Sequence, residues 1–269
     1  MLYTLLKYHC PFSLLSLSKD QYVELESIII LAGLIFMAAI LYSSVGHAGA
    51  SGYLAAMALF GMAPMEMKPA ALILNILVAS IALTKYLKAG RFSWPMFWPF
   101  ALSSVPFAYL GGMILLPSMY YKPIIGIILI YAAVRFVKDA VKPDYNIKTP
   151  LMPVVLIFGA TLGFISGLVG VGGGIFLSPL LIVLQWEEVK KVSGIAAAFI
   201  LVNSIAGLLG FISTATPKLP VGLPIWIFAA VIGGYIGAEY GSKRFGNPTI
   251  KRLLSLVLLV AGIKMIATA

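Results

Sequence analysis

From Leu151 to Trp186 the chain runs 36 residues without one Asp, Glu, Lys, Arg or His, and from Phe92 to Tyr121 it runs another 30. A helix at a soluble surface needs a polar face, so apolar character on every side for that length points to lipid. The whole chain agrees: 61% of its 269 residues are hydrophobic and 10% charged, against about 25% charged in soluble domains. In hydrocarbon each backbone N–H and C=O must be satisfied within its own segment or barrel. The runs are too long and too little alternating for barrel strands. The expected fold is therefore an all-α polytopic membrane protein. A formal charge of +10 would suggest nucleic acid for a soluble chain; in a bilayer it marks the cytoplasmic face. The single cysteine, Cys10, excludes an internal disulfide and a thiolate metal cage. No cofactor or nucleic-acid partner is expected.

The chain also repeats itself. At an offset of 124 residues, Ile76–Ala82 aligns with Ile200–Ala206, and six of the seven positions are identical. The same offset pairs two glycine clusters, Val45-Gly46-His47-Ala48-Gly49-Ala50-Ser51-Gly52 and Val169-Gly170-Val171-Gly172-Gly173-Gly174. A duplicated membrane module with one interrupted helix per copy is the layout of transporters whose site lies between the repeats. Residues 1–27 read as a leader or interfacial segment. Residues 28–148 form the first repeat with its connecting loop, and 149–269 the second.

Loops bearing charge, Gly or Pro divide the first repeat into apolar segments 28–45, 52–63, 69–84, 95–117 and 123–138. They divide the second into 152–169, 174–186, 192–213, 222–241 and 252–267. If all ten reverse the chain direction, thirteen Lys and Arg fall on one side and five, Lys68 among them, on the other. Fusing each short segment (52–63 and 174–186) with its predecessor gives eight against ten, and the bias vanishes. The positive-inside rule therefore favours five reversals per repeat, with basic loops cytoplasmic and both termini outside. An odd number per repeat inverts the second half relative to the first, giving two inverted-topology repeats with glycine-broken helices.

Each break frees backbone amides at the start of the helix that follows, where the dipole is positive. Such amides suit a small anion. The candidate substrate-binding residues are Gly46, His47, Gly49, Ser51 and Gly52 in the first break, and Gly170, Gly172, Gly173, Gly174 and Ser178 in and after the second. Asn75, Ser80, Asn203 and Ser204, mid-helix polar residues, complete the set. Each Asn either holds an anion oxygen or ties two helices together. His47, the one ionisable side chain in either break, either takes up a proton with the anion or stays neutral on an exposed carbonyl. No pair of His, Cys, Asp or Glu in one apolar segment has a nucleophile–base or metal spacing, so an enzyme is not expected.

The stretch Leu162-Gly163-Phe164-Ile165-Ser166-Gly167-Leu168-Val169-Gly170-Val171-Gly172-Gly173-Gly174-Ile175-Phe176-Leu177-Ser178-Pro179-Leu180-Leu181, with its first-repeat version at Ser43 to Leu54, resembles the sulfite exporter TauE/SafE family, also called the 4-toluene sulfonate uptake permease family. The first copy departs from the fuller pattern: Ala48 and Ala50 stand at Gly positions, Ser51 at an apolar one, and Ala55 where Pro179 does. The resemblance implies movement of small anions, notably sulfite and organosulfonates. The expectation is a secondary transporter of such anions in the cell membrane, working by alternating access. The alternatives are an anion channel using the same breaks or, less in keeping with the residues, an intramembrane enzyme.

Overall fold

The computed structural model describes residues 19–138 and 147–243, with isolated positions 259, 262, 263, 266 and 267 beyond them. The described residues form nine α-helices and no strand. These are α1 (Lys19–Ser43), α2 (Ala50–Leu59), α3 (Pro64–Lys88), α4 (Trp94–Met113), α5 (Ser118–Lys138), α6 (Met152–Val169), α7 (Gly174–Val183), α8 (Val189–Thr214) and α9 (Leu223–Lys243). Each matches one expected segment. The tenth, 252–267, lies outside the described residues apart from those isolated positions. α1 starts at Lys19, so residues 19–27 continue the helix of the first segment. Residues Leu25–Ser43, α3, α6, Lys191–Thr214 and α9 are long and apolar enough to cross a membrane. Pro64, Pro95 and Pro153 sit in first turns, where a missing N–H loses no helical bond.

Side-chain contacts order the helices. Lys68 lies over the Phe211 ring, Asn75 bonds Ser204, and Ala82 and Tyr86 cluster with Ala197. The two repeat-equivalent helices α3 and α8 therefore run antiparallel through the centre. α4 and α6 run parallel and tightly packed, with Gly163 against Ser104 and Gly167 against Ala108. α9 and α1 do the same, with Gly233 against Phe36, Gly237 against Ile40 and Gly241 against Ser44. Each half thus lends one helix to the other's first helix, and small residues let the backbones touch.

The short helices turn back. Gly52 of α2 packs on Ala38 and Tyr42 of α1, and Phe60 and Met62 line one cavity with Ile28 and Leu31. Trp186, just past α7, meets Phe158 in the first half of α6 edge to face. Ten residues of helix are about 15 Å long, half of a hydrocarbon core of about 30 Å. α1–α2 and α6–α7 are therefore hairpins with half-length second arms, and they enter the bundle from opposite ends. Lys85, Lys88, Arg91, Lys148, Lys191 and Lys243 gather at one end, where Glu239 bridges Lys85 and Lys243. Lys68, counted above among loop charges, is instead 3% exposed inside the bundle.

Candidate functional site

Glycine decides where the two hairpins break. α6 ends on Gly170 at φ 83°, whose N–H bonds the Ser166 carbonyl at 2.8 Å, and α7 starts after Gly173 at φ 76°. Between them Gly172 stands at φ 82°. Three left-handed residues within four positions can be met only by residues without a Cβ. A side chain on Gly172 would meet Asn75 Nδ2 at 2.8 Å, Ile200 at 2.8 Å and Ser204 Oγ at 3.0 Å.

The two breaks meet. His47 Nε2, from the first, lies 3.1 Å from the Gly174 carbonyl and 3.2 Å from Ser178 Oγ, in the second. A carbonyl only accepts, so this contact places the ring proton on Nε2. Asn75 Nδ2 donates to the Val171 carbonyl at 3.2 Å and to Ser204 Oγ at 3.3 Å. All six of these residues are buried.

Backbone carbonyls and amides around the breaks differ in their partners. Seven carbonyls around the two breaks are taken up by side-chain donors: Ser43 and Ser44 by Tyr86, Val45 by Ser193, Ala48 by Tyr53, Val169 by Tyr121, Val171 by Asn75 and Gly174 by His47. Among the described residues, the amides from Ala48 to Gly52 and from Val171 to Ile175 have no backbone acceptor. Seven carbonyls are thus occupied beside two runs of amides that lack a backbone acceptor, and two helix starts are aimed at the same place. Between the breaks lies a space of about 10 Å³, lined by His47, Gly49 and Ser51 on one side and Val171, Ile175 and Ile200 on the other. That is room for about one water molecule.

Residues 31–265 match the family described as sulfite exporter TauE/SafE. This chain belongs to that family. It is 39% identical over 235 residues, 86% of its own length and 95% of the relative's, to a probable membrane transporter protein of Sinorhizobium fredii. A probable membrane transporter protein of Methanocaldococcus jannaschii is 26% identical over 202 residues, 69% of this chain and 73% of that one. No solved structure matches. The chain is thus a multi-pass membrane protein of a transporter family.

The remaining expected site residues of this TauE/SafE member sit around the meeting point. Gly49, at φ 112°, faces the Tyr53 ring, and Ser51 Oγ donates to Tyr42 Oη at 2.8 Å. Gly46 packs on the Ser193 backbone, Gly52 on α1, and Gly170 on the Lys68 stem. Two residues turn away into their own helices. Ser80 Oγ bonds the Ile76 carbonyl at 2.7 Å, and Asn203 Nδ2 bonds the Phe199 carbonyl at 2.8 Å. Asn203 Oδ1 and Asn75 Oδ1 are buried with no partner among the described residues. Ser204 meets Asn75 while its repeat equivalent Ser80 does not, so the centre is asymmetric. No group of three His, Cys, Asp or Glu that could hold a metal occurs among the described residues.

Sequence reasoning passed over Tyr53, Tyr86, Tyr121, Ser193 and Lys68. Their signal was depth. A tyrosine favours the interface, so Tyr53 within an apolar segment needs a buried acceptor for its hydroxyl.

Proposed function

We propose that the chain is a secondary transporter that moves small anions, sulfite or organosulfonates and related sulfur oxyanions, across the cell membrane. The observation that carries this reading is the pair of amide runs at the two helix starts, Ala48 to Gly52 and Val171 to Ile175, which lack a backbone acceptor among the described residues where the breaks meet. Such a place favours a solute that only accepts hydrogen bonds, which describes a sulfur oxyanion. The Ser178 and Ser204 hydroxyls lie around the same point, and the sulfite exporter family to which the chain belongs points to sulfite.

Alternating access between two inverted repeats is the mechanism this arrangement supports. α3 and α8, which share six of seven core residues, run antiparallel. The hairpins enter from opposite ends and touch at the middle. The space of about 10 Å³ is too small for a sulfonate, so the meeting point of the breaks is closed here, in keeping with a state a carrier visits between its two open ones.

The test is labelled sulfite and sulfonate flux in proteoliposomes with Gly172→Val. The substitution adds a branched side chain at a left-handed φ and against Asn75 and Ser204. Flux is expected to fall about 100-fold or more, with the protein still folded by its melting temperature. Unchanged flux with a verified substitution excludes this site.

A further inference from the structure

Lys68 is not used by the site described above, and its surroundings are unusual. It is 3% exposed, and its Nζ donates to the Gly112 and Ile114 carbonyls at 3.1 and 3.2 Å, at the negative end of the α4 dipole. Among the described residues no carboxylate pairs with it. An ammonium has three donors, so one remains beyond the two carbonyls, beside the Phe211 ring 5.6 Å away. A neutral donor could tie two carbonyls without burying a charge in the bundle. Retaining an ionised group there marks a solute path.

The helical spacing gives that path a direction. Lys68 and Asn75 are seven residues apart, two turns on one face of α3 and about 10 Å along its axis. On antiparallel α8, Phe211 and Ser204 are also seven apart and face them in the same order. The second break runs alongside, with Gly170 against the Lys68 stem and Gly172 against Asn75. Between the two levels α8 offers only Gly207, opposite Leu72.

We propose that Lys68 is a second anion-binding residue. It takes the anion at the outer level of this track, exchanging its α4 carbonyls for anion oxygens, and passes it to Asn75, Ser204 and the break amides. This rests on the reading of the chain as an anion transporter and adds a residue outside the breaks.

The experiment is sulfite flux against sulfite concentration in proteoliposomes, with melting temperatures, for wild type, Lys68→Met and Lys68→Gln. The Gln variant decides, because its amide keeps two N–H donors for the α4 carbonyls while the charge is gone. Both variants are expected to raise KM about tenfold or more, the scale of one charge-assisted hydrogen bond, with Lys68→Gln melting within a few degrees of wild type. A Lys68→Gln KM within about twofold of wild type overturns the proposal and leaves Lys68 as a clamp between α3 and α4. A variant that lowers only the melting temperature does the same. Wild type without flux of any sulfur oxyanion overturns the transporter reading itself, and this proposal with it.

Discussion

Tyr53 shows at the scale of one residue how the proposed anion site would gain its selectivity. Its hydroxyl donates to the Ala48 carbonyl at 2.6 Å, fully buried within the hairpin it belongs to. Without that bond the carbonyl would turn an acceptor loose beside the amides proposed to meet an anion. Tyr53→Phe is therefore expected to act twice. The unpaired buried carbonyl should lower stability by about 1–3 kcal/mol, read as a lower melting temperature in detergent. It should also weaken anion binding several-fold, because the freed carbonyl repels a negative solute. A variant that loses stability but binds sulfite as wild type does would separate the carbonyl from the site. The glycines and His47 were legible in the sequence because chain breakers and an ionisable group stand out in apolar surroundings. The tyrosines were not, since a hydroxyl's partner is a backbone atom nearby in space and, for Tyr86 and Tyr121, more than 40 residues away in sequence.

The elements explain why the breaks hold their shape. α4 lies on α6, and α9 on α1, through glycines at one-turn spacing that bring backbones into contact. A Cβ on Gly167 would fall on the Ala108 carbonyl, with no flexible side chain to yield. Gly167→Ala should therefore destabilise the bundle by about 1–3 kcal/mol through overpacking, measured by thermal unfolding in detergent. Gly33, with nothing within 4 Å of its added Cβ, is the control and should tolerate Ala. Helix positions were the most legible part of the fold, because long uncharged runs bounded by Gly, Pro and charge leave few alternatives. Which helix packs on which was not legible. Small residues mark a seam without naming its partner, and the exchange of α4 and α9 between halves depends on contacts up to 198 residues apart. Lys68 is the clearest miss: beside a loop in sequence, it is folded inward by the first turn of α3.

Across the whole molecule, the duplication does more than double the helices. It sets two half-length helices nose to nose, so that neither break faces lipid and each satisfies part of the other, as His47 does for Gly174. The halves have since diverged: one break keeps three left-handed glycines in a row of four, and the other carries a histidine and two tyrosine caps. Identity of the two cores could be read from the offset of 124. That only Ser204 of the equivalent serines reaches the centre could not, because a symmetric sequence need not fold into a symmetric site.

Selenite, a heavier analogue of sulfite, makes the central claim directly visible. Anomalous scattering at the selenium edge, from crystals grown with selenite, should show a peak within hydrogen-bonding range of the Gly172–Gly174 amides, between His47 and Ser204, with the hairpins parted to admit it. Selenium bound tightly elsewhere, with the meeting point of the two breaks still closed and empty, would contradict the account.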